Sequence, residues 1–320
     1  MNISREYLLF TAAAVLIGVV AIAGLANLGR PFARFDPIPE WANIAEEPQL
    51  KVHVADTGDI QEMGLEKYLE GVVAGEIENT WPIEALKAQA IIARTFTVEE
   101  LQRRGGVGGI RPGADVSTDH TIFQAYDASK VNDDIRRAVE ETRGQILTFR
   151  GVPVRALFHS DAGGRTATPE EGLGQDFGPL PYLQGRSVPW TAPNTEWTET
   201  FSREEVRQAA VAAGGSDPGS FDSIAIGERG PSGRAVTLNI GNAHVPAPEF
   251  RLAIGSTRMR STLLTSVNMI GGTVTFAGRG FGHGVGMSQW AARGMAEQGR
   301  RAEDIATFFF PGSRLTRMWR

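Results

Sequence analysis

One carboxylate stands out in this sequence. Leu65, Leu69, Val72 and Val73 recur at helical spacing, and Glu76 continues their stripe. Glu66 and Glu70 fall on the other, solvated face of the same pattern. Burial against apolar neighbours disfavours a charged carboxyl and raises its pKa. A raised carboxyl pKa is what a general acid needs near neutral pH. The plainer reading is a helix-end carboxylate paired with a nearby Arg or Lys, and pattern alone favours it.

Other residues offer weaker chemistry. Lys87 and Arg94 stand seven apart, on one side of a second helical stripe, where they could clasp sugar hydroxyls or a carboxylate. Taken alone, two solvated cations are the preferred reading. Gly278 to Trp290 alternates glycine with other residues, so its backbone could approach a ligand closely. A dinucleotide site would need a further strand bearing an acid about 20 residues on, and the chain ends too soon. A tight turn presenting His283 to a groove fits better. Phe158 to Thr166 holds His159, Ser160 and Asp161 side by side, but a catalytic triad meets in space, not in sequence. It lacks the Gly-x-Ser-x-Gly form, so a polar turn lining a cleft is preferred to a serine hydrolase. His53, His120, His159, His244 and His283 form no close ligand pair.

The elements that must position these groups follow from periodicity and breakers. A strand is expected near residues 50–54 and a helix over 65–77. A second helix opens near Pro82, carries Ile83, Leu86, Ala90, Ala93 and Thr97, and stops at Gly105 and Gly106. A short helix is expected over 135–142, then strands over 145–149 and 154–159 around a turn at Arg150 and Gly151. Ala162 to Trp197 is dense in Gly and Pro and reads as a long surface excursion. Ser202, with Glu205 three residues on, caps a helix reaching Ala213. Strands should dominate from 224 to 276, before a last helix near 288–299.

Composition bounds the classes. The 320 residues are 42% hydrophobic and 22% charged, with a net charge of -5. These are ordinary globular values, and the mild acidity argues against nucleic acid as a partner. The absence of cysteine removes disulfides, thiolate metal sites and a cysteine nucleophile. Tyr7 to Leu28 is uncharged and apolar, long enough to cross a bilayer. It reads as a transmembrane anchor, with a signal peptide cleaved near Ala21–Ala23 as the alternative. The expected organisation is therefore an anchor or signal at 1–29, a Pro-rich linker at 30–49 and a folded region at 50–320. The fold class is α+β, mixed helices and strands around an extended substrate groove in one or two lobes.

Tyr68 to Glu76, Trp81 to Ala90 and Ala93 to Phe96, in that order, closely resemble the stage II sporulation protein D family, whose relatives include amidase enhancers. Phe158 to Thr166, a strand-rich stretch at Arg251–Ser256, Gly280 to Gly294 and Phe310 to Gly312 agree as well, so the likeness spans roughly 51–314. The resemblance implies a peptidoglycan lytic transglycosylase, which breaks the MurNAc–GlcNAc bond without water and leaves a 1,6-anhydro sugar. Most glycosidases need two carboxylates; here the C6 hydroxyl of the muramic acid serves as internal nucleophile. By the resemblance Glu76 is the acid/base and Arg94 an arginine needed for activity. Lys87, His159, Ser160, His283 and Gln289 are expected along the substrate groove. It also implies spore engulfment, sporulation proteins P and M as partners, and a single-pass membrane protein with its catalytic region on the cell-wall side. The alternative is a non-catalytic peptidoglycan-binding module that stimulates an amidase. Some relatives hold a structural zinc through His and Cys just before a Gln-x-Tyr element. Here Gln124–Tyr126 has no cysteine before it, so neither a metal nor another cofactor is expected.

Overall fold

The computed structural model describes residues 46–104, 110 and 112–320. The anchor or signal segment, most of the linker and the expected Gly105–Gly106 helix stop lie outside these residues. Among the described residues no helix is long and apolar enough to cross a membrane. The fold is mixed α+β and divides into two units, one running to Leu157 and resuming at Ala292–Arg320, the other Phe158–Ala291.

In the first unit, β1 (Gln49–His53) runs antiparallel to β2 (Ile60–Gly64), and β2 passes directly into α1 (Leu65–Glu76). Leu50 and Val52 of β1 are buried while Gln49 and Lys51 are exposed, the period of two that marks a half-buried strand. α2 (Ile83–Arg103) begins right after Pro82, whose φ of -53° suits a helix entrance. Leu69, Val72 and Val73 of α1 and Leu86, Ala90 and Ala93 of α2 are all buried, and the two helices pack on each other. β3 (Val116–Ser117) joins β1 in parallel. α3 (Asp133–Glu141) starts two residues earlier than its apolar pattern suggests, because the Asn132 side chain accepts the Ile135 N–H and caps it. β4 (Gln145–Phe149) and β5 (Val152–Pro153) form a hairpin about the expected turn, with Arg150 at φ 53° and Gly151 at φ 85°, but the second strand is not the expected 154–159: it ends at Pro153, and 154–157 are irregular.

The second unit opens with β6 (Phe158–His159) and a short α4 (Pro169–Leu173). The stretch 162–197 is not a surface excursion. Ala162, Ala167, Leu173, Phe177, Leu183 and Val188 are buried, and backbone bonds from Thr166 to Arg186 and from Val188 to Gly164 stitch it together. Its glycines and prolines shape turns within a packed segment. β7 (Glu196–Ser202) leads into α5 (Arg203–Ala212), closed by the anticipated Ser202–Glu205 capping box. β8 (Ile224–Ile226), β9 (Thr237–Ile240) and β10 (Ala243–Pro246) make one antiparallel sheet.

α6 (Ala247–Ala253) then interrupts the strands, so Arg251–Ala253 are helical and not strand-like as the resemblance had them. Pro248 in its first turn and the burial of Ala247, Phe250 and Arg251, at helical spacing, account for the difference. β11 (Leu264–Ile270) and β12 (Thr273–Arg279) pair antiparallel, and β12 also pairs with β7. Trp197, Phe201, Val206, Leu238, Phe250 and Phe276 meet in the core of this unit. β13 (Met287–Ser288) lies parallel to β6.

The chain returns to the first unit through α7 (Gln289–Glu297), continues as α8 (Ala302–Phe309), and ends with β14 (Arg314–Arg317) antiparallel to β4. The last two elements have no counterpart in the sequence-based expectation.

Candidate active site around Glu76

Glu76 is the last residue of α1 and is 2% exposed. Its Oε1 accepts the Ala125 N–H at 2.8 Å. That contact depends on two glycines. A Cβ on Gly71 would lie 2.2 Å from the Tyr126 ring, and one on Gly75 only 2.6 Å from the Tyr126 nitrogen. Both spacings are too short for any real side chain, so the glycines make a notch in α1 that receives Tyr126. The Asp127 N–H bonds to the Gly71 carbonyl at 2.9 Å, and the Tyr126 ring stacks on Tyr68 at 5.7 Å. Gln124 anchors the other side through Nε2 to Thr97 Oγ1 at 2.9 Å. Burial, and then the nearby Glu76 charge, raises the Tyr68 phenol well above its ordinary value. Sequence reasoning treated Gln124–Tyr126 only as a zinc marker. Its place beside Glu76 could have been suspected from Gly71 and Gly75, an i, i+4 pair of glycines inside a helix.

Arg94 sits elsewhere in the unit. It is 0% exposed, and its guanidinium holds Glu66 through Nε at 3.0 Å and Nη2 at 2.6 Å. Other bonds reach the Val139 and Gln145 carbonyls. Glu66 itself, expected on the solvated face, is 5% exposed and also accepts the Gly144 N–H and Trp319 Nε1. The helical stripe misled here because β4 and the chain terminus cover that face of α1. Arg94 thus clasps a buried carboxylate and offers no surface to a sugar, which corrects its expected place at the substrate. Lys87 bridges Glu84 at 2.8 Å and Glu141 at 2.5 Å. Burial works against its charge, but those two hydrogen bonds outweigh it and raise its pKa.

In the second unit, His159 and His283 are 0% and 6% exposed, with ring centroids 5.5 Å apart. His283 Nε2–H donates to the Phe158 carbonyl at 2.9 Å while Nδ1 accepts the Val285 N–H at 3.1 Å. His159 Nδ1–H donates to the Val285 carbonyl at 3.1 Å. Carbonyls only accept, so these partners fix both tautomers. Burial first, then the Arg251 charge, pushes His283 down to about 3; burial and His283 push His159 well below its ordinary value. Both rings are neutral struts. The expectation that they face a groove is corrected: their backbone partners hold the glycine-rich loop in place. Ser160 and Gln289 are 4% and 2% exposed. The glycines of that loop also serve packing, since a Cβ on Gly282 would meet His159 at 2.7 Å and one on Gly284 would meet the Arg234 guanidinium at 2.5 Å. Among the described residues no three His, Cys, Asp or Glu side chains gather as a metal site.

The region that carries α1, α2 and the Gln124–Tyr126 staple matches a family model described as a stage II sporulation protein, over residues 54–149. Residues 191–286, in the second unit, match a domain of unknown function. Stage II sporulation protein D of Bacillus subtilis (strain 168) is 30% identical, the match covering 88% of this chain and 83% of the relative. The protein of the same name from Bacillus amyloliquefaciens is 33% identical over 83% of this chain and 80% of its own. An amidase enhancer of Bacillus subtilis (strain 168) is 29% identical, covering 78% of this chain but 40% of that protein. The chain belongs to the stage II sporulation protein D family.

Proposed function

We propose that this protein is a peptidoglycan lytic transglycosylase in which Glu76 is the single acid/base. The observation that carries the reading is the Glu76 carboxyl at the end of α1, oriented by the Ala125 N–H among apolar neighbours. In the forward step the protonated carboxyl gives its proton to the glycosidic oxygen, and the C1–O bond breaks. The C6 hydroxyl of the same muramic acid then bonds to C1 and returns its proton to Glu76. No water is consumed, and the acid is regenerated. In this reading a glycan approaches by the turn after Glu76, where Thr80 is exposed and Trp81 half-buried. The Trp81 ring there carries the Arg293 guanidinium, 5.5 Å from its centroid. In this reading the segment at Tyr7–Leu28 tethers the enzyme on the cell-wall side, and sporulation proteins P and M are its partners in engulfment.

The test uses the full chain in detergent with peptide-free glycan strands. The proposal expects anhydro-ended products by mass spectrometry, and their loss in Glu76→Gln. Equal product from that variant removes Glu76 from the chemistry. A second reading, a glycan-binding module that stimulates an amidase, draws on the burial of Glu76 and on the name of the amidase-enhancer relative. It predicts glycan binding and amidase stimulation with no anhydro ends.

A further inference from the structure

The chain is acidic overall, with a net charge of -5, and surface arginines such as Arg136, Arg207 and Arg258 are matched by Asp133, Asp217 and Glu205. Arg150, Arg314, Arg317 and Arg320 differ. All four are exposed, and none of them makes an ion pair among the described residues. They share one sheet edge. β14 is the outer strand of the β14–β4–β5 sheet, with Arg314 beside Thr148 and Arg317 beside Gln145. Arg320 follows the strand, and Arg150 stands on the β4–β5 turn just past Thr148. At about 3.4 Å per residue, Arg314 and Arg317 alone spread positive charge over about 10 Å of edge. The same edge adjoins the point where the described chain begins. Arg143, just before β4, holds the Glu47 carboxylate, and its carbonyl accepts Arg317 Nη1. The other Glu47 oxygen accepts the Glu66 N–H at the start of α1. Residues 29–45 join this point to Tyr7–Leu28, the uncharged apolar stretch read as a tether. A join of that length spans at most about 60 Å.

We propose that this arginine edge docks the first unit on an anionic phospholipid surface. The inference rests on Tyr7–Leu28 being a membrane tether, and not on the chemistry of Glu76. The guanidinium fork matches phosphate oxygens and stays charged across the physiological range. Attraction to an anionic bilayer is worth about fivefold in partitioning for each arginine near the surface, and it fades within a Debye length of about 8 Å at physiological salt. The tether keeps the unit close to the bilayer, and the edge decides which side of the unit meets it.

The chain has no cysteine, so one introduced as Ser313→Cys carries a fluorophore beside the edge. The full chain is reconstituted in vesicles of phosphatidylcholine alone or with phosphatidylglycerol added, and energy transfer to a headgroup acceptor is measured. Transfer should be stronger in the anionic vesicles and weaken at about 0.5 M salt, where screening is nearly complete. It should fall to the neutral-vesicle level in Arg314→Gln/Arg320→Gln, whose side chains make no ion pair in the described fold. Equal transfer from both kinds of vesicle overturns the proposal. So does transfer that the two substitutions leave unchanged, as expected if the arginines only keep the strand edge from pairing with other chains. Arginine-dependent retention on a phosphate-bearing wall polymer, without any dependence on lipid charge, would assign the edge to that polymer and overturn it too. A full chain that fails to float with neutral vesicles removes the tether and this proposal with it, while the Glu76 reading stands.

Discussion

At the scale of single residues, the main lesson concerns charge inside the first unit. Glu66 collects Arg94, Gly144 and Trp319, joining α1, α2, the start of β4 and the chain terminus at one carboxylate. Removing one partner of such a pair strands the other charge away from water, at a cost of about 3–5 kcal/mol. Arg94→Ala should therefore lower the free energy of unfolding, read from chemical denaturation, by that amount. Arg94→Lys should also destabilise, because a point charge cannot reproduce the two-pronged contact. If Arg94 touched substrate instead, Arg94→Lys would lose glycan cleavage at parental stability. The denaturation curve and the rate, measured on the same preparation, separate the two. Neither Glu66 nor Trp319 was legible in this role from sequence. Helical periodicity places a residue on a face of its own helix, and only the tertiary fold says what covers that face.

At the scale of elements, patterning and caps served well where the local sequence decides. α1, the entrance of α2, the β4–β5 turn and the Ser202 cap all stand where spacing and breakers put them. They failed where packing decides. The stretch 162–197 carries loop chemistry but sends Ala162, Ala167, Leu173, Phe177 and Val188 into the interior, and α8 and β14 are short pieces stabilised by neighbours far away in sequence. The site divides along the same line. The burial of Glu76 was readable because it continued an apolar stripe, whereas the Ala125 N–H that meets its carboxyl has no side-chain signature at all. The glycine-rich loop was visible as a motif but misread in purpose. Gly284 has φ 86° and packs on Arg234, so Gly284→Ala meets both backbone strain and a collision. It should cost about 2–4 kcal/mol in thermal or chemical unfolding, at the upper end of single substitutions. Gly255, with φ 105° but open space around it, isolates the backbone component. Its alanine variant should lose about 1 kcal/mol.

At the scale of the whole molecule, the second unit is one continuous segment with its own core of Trp197, Phe201, Phe250 and Phe276. A segment with its own core is able to fold alone. Residues 158–291 expressed separately should give a cooperative melt, and a sloping, non-cooperative curve would refute this. That fragment also isolates a pH effect. His159 and His283 both titrate below their unfolded value when folded, His283 near 3. Above the unfolded histidine pKa of about 6.5 neither state binds the extra protons. As pH falls through that value the unfolded chain takes up protons that the folded rings refuse, so stability drops. The loss continues until pH reaches the folded values, and each unit of depression is worth about 1.4 kcal/mol. His283→Gln cannot take up that proton in either state, so its stability should decline less steeply between about pH 6.5 and 4. Parallel slopes for parent and variant across that window would mean that His283 is not held neutral by the fold. The carboxylates of the fragment are common to both proteins, so the difference between the curves belongs to this histidine.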